Sequence, residues 1–205
     1  ARLAEKYENK QLCRKYLEMA EKTKKSFDEK FYNEEKHCLY DVLGDSKVRP
    51  NQLFALSLSH PIVDNAEIAE QVLNTVENKL LNKYGLKTLS SDEDGYVDVY
   101  EGSAYRRDSS YHQGITWPWL LGLYYDALKN TMIIEKNRTK RQELEEKITK
   151  LVYTTKETFK AEMFERSSIG TISEIYDSTE PYEERGAFAQ AWSVAEIFRI
   201  VLNKR

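Results

Sequence analysis

At 205 residues, with 40% hydrophobic and 32% charged side chains, the chain can bury one sizeable core and is too apolar for general disorder. Its formal charge of −3 offers no handle to a polyanion, and no basic stripe interleaved with aromatics appears, so nucleic acid is not an expected partner. No apolar run approaches membrane-spanning length and the first residues form no apolar signal core, so the expectation is a cytoplasmic protein without a membrane partner.

Ala1 to Tyr7 reads as the end of an earlier helix, with Glu8-Asn9 as the join. Leu12 to Phe31 follows as an amphipathic helix, because Leu12, Tyr16, Met19, Thr23, Phe27 and Phe31 recur at helical intervals. Asn33 to Asp41 alternates weakly around Cys38 and Tyr40 and predicts a short hairpin. Val48 to Leu58 predicts a second helix, with Pro50 in its first turn. Asp64 is the expected cap of a third, which runs through Ile68, Val72, Val76 and Leu80 to end near Tyr84-Gly85.

Leu86 to Gly114 is then a loop of roughly thirty residues, a length that in a compact domain usually marks function or mobility. Ile115 to Ile133 predicts an apolar helix, and Thr139 to Met163 a charged one with a solvated face. A polar loop, Glu165 to Gly186, leads to a last helix from Ala187 to Leu202. About six helices in pairs, with no parallel β–α alternation, give an all-α class. The two cysteines, Cys13 and Cys38, match no zinc or redox spacing and read as reduced packing thiols.

Four polar clusters could carry chemistry, and three of them lie where helices begin: Arg49-Pro50-Asn51-Gln52, Arg106 to Trp119, Gly170 to Glu174, and Arg185 to Trp192. Helix starts reached by long loops can gather on one face and offer unpaired N–H groups to a ligand. Within Tyr111-His112-Gln113-Gly114-Ile115-Thr116-Trp117-Pro118-Trp119, indoles beside fixed hydrogen-bonding groups suit a sugar ring, with its apolar faces and hydroxyl rim.

Glu174, among small and apolar neighbours, reads either as a general base or as a surface or cap carboxylate. Asp108 reads either as a site residue or as an ion-pair partner of Arg106 and Arg107. Trp117 and Trp119 read either as sugar-facing or as plain core. The three histidines show no ligand spacing, and no nucleophile elbow or phosphate-cradling glycine loop is present, so neither a metal nor a cofactor is expected.

In series, five segments resemble one family. They are Arg49-Pro50-Asn51-Gln52-Leu53-Phe54-Ala55-Leu56-Ser57-Leu58, Tyr84-Gly85-Leu86-Lys87-Thr88-Leu89-Ser90, Tyr111 to Gly122, Gly170-Thr171-Ile172-Ser173-Glu174-Ile175-Tyr176-Asp177, and Arg185 to Glu196. The series resembles the C-terminal part of the amylo-α-1,6-glucosidase domain of glycogen debranching enzymes.

The resemblance implies an (α/α)6 toroid, a substrate of α-glucan such as glycogen or limit dextrin, and hydrolysis with inversion by two separated carboxyls. It implies Glu174 as general base, with Asp108, His112, Gln113, Trp117 and Trp119 lining the glucose pocket and Arg49 and Asn51 nearby. Ser173 stands where the family usually has proline, Ala187 where cysteine is frequent, and Ile115-Thr116 where Thr-Val is more common.

A full toroid needs about twelve helices, so residues 1–205 are expected to form one partial domain, the C-terminal half of the ring. In the family the general acid is an aspartate far upstream, which places it before Ala1. The expected partners are therefore the missing N-terminal half, the glucan, and a second copy that covers exposed helix faces. A non-catalytic carbohydrate-binding module and a trehalase-like glycosidase of the same class are the alternative readings.

Overall fold

The computed structural model describes residues 1–166 and 169–202. Helices dominate, as expected. Among the described residues there are eight α-helices rather than about six, and six two-residue strands rather than a hairpin alone.

The opening helices α1 (Arg2–Lys6) and α2 (Lys10–Lys30) follow the expected pattern, and the Asn9 side chain caps α2 by accepting the Leu12 N–H at 3.0 Å. Neither helix buries a residue fully, and Leu12, Tyr16, Leu17 and Met19 of α2 stay exposed. The hairpin is real: β1 (Tyr32–Asn33) pairs antiparallel with β2 (Cys38–Leu39), placing Tyr32 opposite Leu39. Cys13 and Cys38 are free, and burial pushes the Cys38 thiol pKa up.

The helix expected over Val48 to Leu58 is shorter and broken. Arg49 is extended (φ −130°, ψ 157°), a tight 3-10 turn covers Pro50–Leu53, and α3 is only Phe54–Ser57. The reason is local, since the ring of a proline pushes the residue before it out of the helical region. The cap of α4 (Ala66–Lys79) is Asn65, not Asp64: the Asn65 side chain accepts from the N–H groups of Glu67 and Ile68. Asp64 instead pairs with Lys24 of α2 at 3.0 Å. The helix stops at Lys79, short of Tyr84-Gly85.

The long loop is not structureless. It holds β3 (Leu86–Lys87) and α5 (Ala104–Ser110), the latter capped by Ser103. The apolar helix starts later than expected. Thr116–Trp117 is β4, and α6 runs Leu120–Ile134. Pro118 again forces the residue before it to be extended.

Helix α7 (Arg138–Glu165) is capped by Asn137 and matches the charged helix. Two further strands, β5 (Ile175–Tyr176) and β6 (Glu184–Arg185), lie in the second loop, and α8 runs Ala191–Leu202 rather than from Ala187. Residues 187–190 cannot be helical because their backbone is committed elsewhere. The Ala187 carbonyl accepts the Glu174 N–H at 2.9 Å, and the Gln190 N–H reaches the Ile172 carbonyl at 3.0 Å.

Helix α6 is the hub, packed against α3, α4, α7 and α8. Eight of its residues are buried, including Leu120, Leu121, Tyr124, Tyr125 and Leu128. Its approach to α8 depends on Gly122, where an added Cβ would run into the Glu196 carboxylate. Arg199 fills that seam, donating to Glu196, to Asp126 at 2.9 Å and to the Gly122 carbonyl at 3.2 Å.

Strands β3, β4, β5 and β6 form one antiparallel sheet in that order, with Thr116 opposite both Lys87 and Tyr176. The sheet draws the two long loops together over one end of α6.

Candidate functional site

Glu174 sits just before β5, half-buried, with both carboxylate oxygens engaged. The Tyr111 hydroxyl donates to Oε1 at 2.5 Å and Gln190 Nε2 donates to the same oxygen at 3.3 Å. The Ala187 N–H donates to Oε2 at 3.0 Å. These donors come from the end of α5 and from the segment that enters α8, so the carboxylate ties together segments far apart in sequence. Gly186 (φ +68°) lies against it, and an added Cβ there would collide with Oε2.

An aromatic cluster spreads from Tyr111. Its ring meets Tyr100 at 5.6 Å, His112 at 4.8 Å and Trp117 at 4.7 Å between centroids. His112 lies nearly parallel to Trp117 at 5.2 Å, and Trp117 meets Trp192 edge-on at 5.8 Å. Trp192 in turn stacks on Trp119 at 5.4 Å, and Trp119 reaches Phe54.

The aromatics differ in what they leave exposed. Trp117 is 3% exposed and donates its indole N–H to the Tyr111 carbonyl, so it is a packed support. Trp119 is half-buried, and Trp192 keeps 45% of its surface. His112 is exposed beside them. Desolvation of its inner face, and then the Arg49 charge, lower its pKa.

Arg49 is spent on the loop. One terminal nitrogen donates to the Thr88 and His112 carbonyls at 3.1 and 2.9 Å, and the other to Gln113 Oε1 at 2.9 Å. Gln113 thus meets Arg49 through its side chain, while its carbonyl accepts the Val97 N–H at 2.7 Å. The two candidates act as one clamp under His112.

Asp108 lies on the exposed surface of α5. The ion pair weighed for it with Arg106 or Arg107 is not formed among the described contacts; Arg107 donates instead to the Gly102 carbonyl at 2.7 Å. Asn51 is also outside the cluster. It donates to Asp41 at 3.2 Å and lines a cleft with Phe27, Phe31, Phe54 and His60.

Asp177 is buried and structural, holding Arg185 through Oδ2 at 2.8 Å and the Tyr100 N–H through Oδ1 at 2.8 Å. That latch frames a polar cavity of about 470 Å³ lined by Tyr100, Glu101, Gly102, Arg107, Arg185 and Gly186. Its rim therefore shares Gly186 and Tyr100 with the surroundings of Glu174.

Sequence reasoning missed Tyr111, Gln190, Trp192 and the Ala187 N–H as members of this group. Tyr111 adjoins His112, and the other three belong to the Arg185 to Trp192 cluster, but nothing in their spacing shows that they converge on one carboxylate.

Among the described residues, no group of three or more His, Cys, Asp or Glu side chains is placed to hold a metal ion, and no helix is long and apolar enough to cross a membrane. What the arrangement offers chemically is a carboxyl group held by three donors beside partly exposed aromatic faces and a polar cavity. Residues 1–199 match the family model described as amylo-alpha-1,6-glucosidase, and the chain belongs to that family.

Proposed function

We propose that this chain is the C-terminal half of an (α/α)6-toroid glucosidase domain. In this reading it supplies the general base and one wall of the pocket for the glucose at an α-1,6 branch of glycogen or a limit dextrin. The observation that carries the reading is Glu174: a half-buried carboxylate with three hydrogen-bond donors, beside an aromatic cluster, in a member of this family.

Inversion needs a base that takes a proton from water on one face of the sugar and an acid that protonates the leaving oxygen on the other. Glu174 fits the first role, because three donors hold its carboxyl in one orientation. The acid, by resemblance, is an aspartate outside these residues. The exposed faces of His112, Trp119 and Trp192 would meet the apolar face of the glucose, with Trp117 bracing them from below. Gln113 and Arg49 would fix the loop that carries His112. Asp108 reaches the sugar only if the loop or the upstream half brings it inward. The free thiols suit a reducing cytoplasmic setting.

The test is an α-1,6-glucosidase assay on limit dextrin. The chain alone is expected to show negligible hydrolysis, and addition of the upstream half to restore it. In that assembly Glu174→Gln is expected to lower kcat by about 10²–10⁴-fold, the usual worth of a general base. Strong activity of the chain alone would overturn the half-site claim. Glucan binding with indifference to Glu174→Gln would identify a non-catalytic module instead.

A further inference from the structure

The two oxygens of Glu174 are not equivalent. Among the described residues, Oε1 accepts the Tyr111 hydroxyl at 2.5 Å and Gln190 Nε2 at 3.3 Å, whereas Oε2 accepts only the Ala187 N–H at 3.0 Å. An ionised carboxylate has about four lone-pair sites, two on each oxygen, so Oε1 is filled and Oε2 retains one. Gly186 lies so close to Oε2 that a Cβ there would collide with it, and Gly186 also lines the polar cavity, so Oε2 is the oxygen on the cavity's side.

Tyr111 cannot easily swing away. Its ring is packed between Tyr100, His112 and Trp117, and its carbonyl holds the Trp117 indole. A short O–H···O⁻ bond of this kind is charge-assisted and stronger than a neutral one.

We propose that Tyr111 is a positioning residue which, with Gln190, pins Oε1 of Glu174 so that Oε2 is the oxygen that takes the proton from the attacking water. The inference rests on the reading of Glu174 as general base given above. In the step, the water oxygen bonds to the anomeric carbon and its proton passes to Oε2. The electrons of the broken glycosidic bond go to the leaving oxygen, which a carboxylic acid from outside this chain protonates. Burial, and the adjacent carboxylate after it, raise the pKa of the Tyr111 phenol, so it remains a donor throughout.

The experiment uses the 205-residue chain with its Tyr111→Phe and Glu174→Gln variants and, as probe, 1-deoxynojirimycin, a glucose analogue whose ring ammonium seeks a carboxylate. Proton NMR is expected to show one strongly downfield hydroxyl resonance that disappears in Tyr111→Phe and moves upfield in Glu174→Gln. Calorimetry is expected to show roughly tenfold weaker probe binding by Tyr111→Phe, the scale of one lost bond to a charged group. The loss of binding should exceed what the change in melting temperature explains.

A hydroxyl resonance that ignores Glu174→Gln overturns the proposal, as does a Tyr111→Phe variant whose binding profile is unchanged. If the hydroxyl responds as expected but the wild type binds the probe no better than Glu174→Gln, the reading of Glu174 as base fails, and the role of Oε2 falls with it.

Discussion

Gly186 shows how much of this site depends on single atoms. Its φ of +68° lies in the left-handed region, and an added Cβ would meet both the Glu174 carboxylate and the Ile175 side chain. Gly186→Ala is therefore expected to cost about 1–3 kcal/mol of stability from backbone strain alone. It should also displace Oε2 and weaken binding of a glucose analogue by more than the stability loss explains. Thermal melts paired with calorimetry would separate the two effects, and an unchanged affinity would show that the carboxylate is not crowded there. Glycine and glutamate were both visible in the sequence as members of separate motifs. Their contact was not, because a separation of twelve residues says nothing about register until β5 and β6 pair Ile175 with Arg185.

At the scale of elements, β5 and β6 are braced against α7 by an unusual group of charges. Glu162 of α7 is 3% exposed and accepts the Tyr176 hydroxyl at 2.8 Å through Oε1, while its Oε2 and the Oε1 of Glu184 in β6 are buried without a hydrogen-bond partner among the described residues. Arg166 lies against both carboxyls, at 3.0 Å from Glu184 and 3.6 Å from Glu162, and it also donates to the Tyr84 hydroxyl.

Burial, and then the neighbouring Glu184 carboxyl, push the Glu162 pKa up to about 7 from the ordinary 4.5. A folded state that holds a proton more tightly than the unfolded chain is favoured at low pH. The contribution is complete below about pH 4.5 and is lost as pH rises through about 7. Stability is thus expected to fall by on the order of 2 kcal/mol between those limits, and Glu162→Gln should flatten the dependence. Urea denaturation across that range is the check, and a wild-type curve that is flat or rises would refute it.

The element scale is also where the sequence was most and least legible. Hydrophobic periodicity placed α2 and α4, because a helix that buries one face must repeat at helical spacing, while composition, apolar and then charged, marked α6 and α7. It failed at Arg49 and Trp117, each followed by a proline that extends it. It also failed at residues 187–190, where long-range hydrogen bonds hold the backbone. The two-residue strands β3 to β6, unlike the hairpin, show no alternation in their flanking sequence, so the sheet that gathers the loops was invisible.

For the whole molecule, the distribution of apolar surface matters more than its amount. The C-terminal halves of α7 and α8 enclose an apolar groove lined by Phe159, Met163, Phe164, Ile197, Phe198 and Leu202, in which Phe164 and Leu202 are 68% and 64% exposed. Helix α2 carries a second such face through Tyr16, Leu17 and Met19. Surfaces of this kind favour association. The isolated chain is expected to self-associate with rising concentration in sedimentation, and the upstream half of the proposed toroid should suppress this. A clean monomer at high concentration would count against it. The family could be read from motifs along nearly the whole chain, whereas which oxygens and rings converge could only come from the fold.

The four-stranded sheet has a consequence for motion. No strand of two residues is stable alone, and each of these is held by neighbours from a different part of the chain. Thr116 sits at the crossing, its hydroxyl bonded to Asn82 and Ser178 while its backbone pairs on both sides. Losing any strand removes partners from the next, so the loops bearing His112, Glu174 and Gln190 form a single cooperative unit of local unfolding. Their amides would exchange with one common free energy of opening, and the base would be assembled or lost together with those loops.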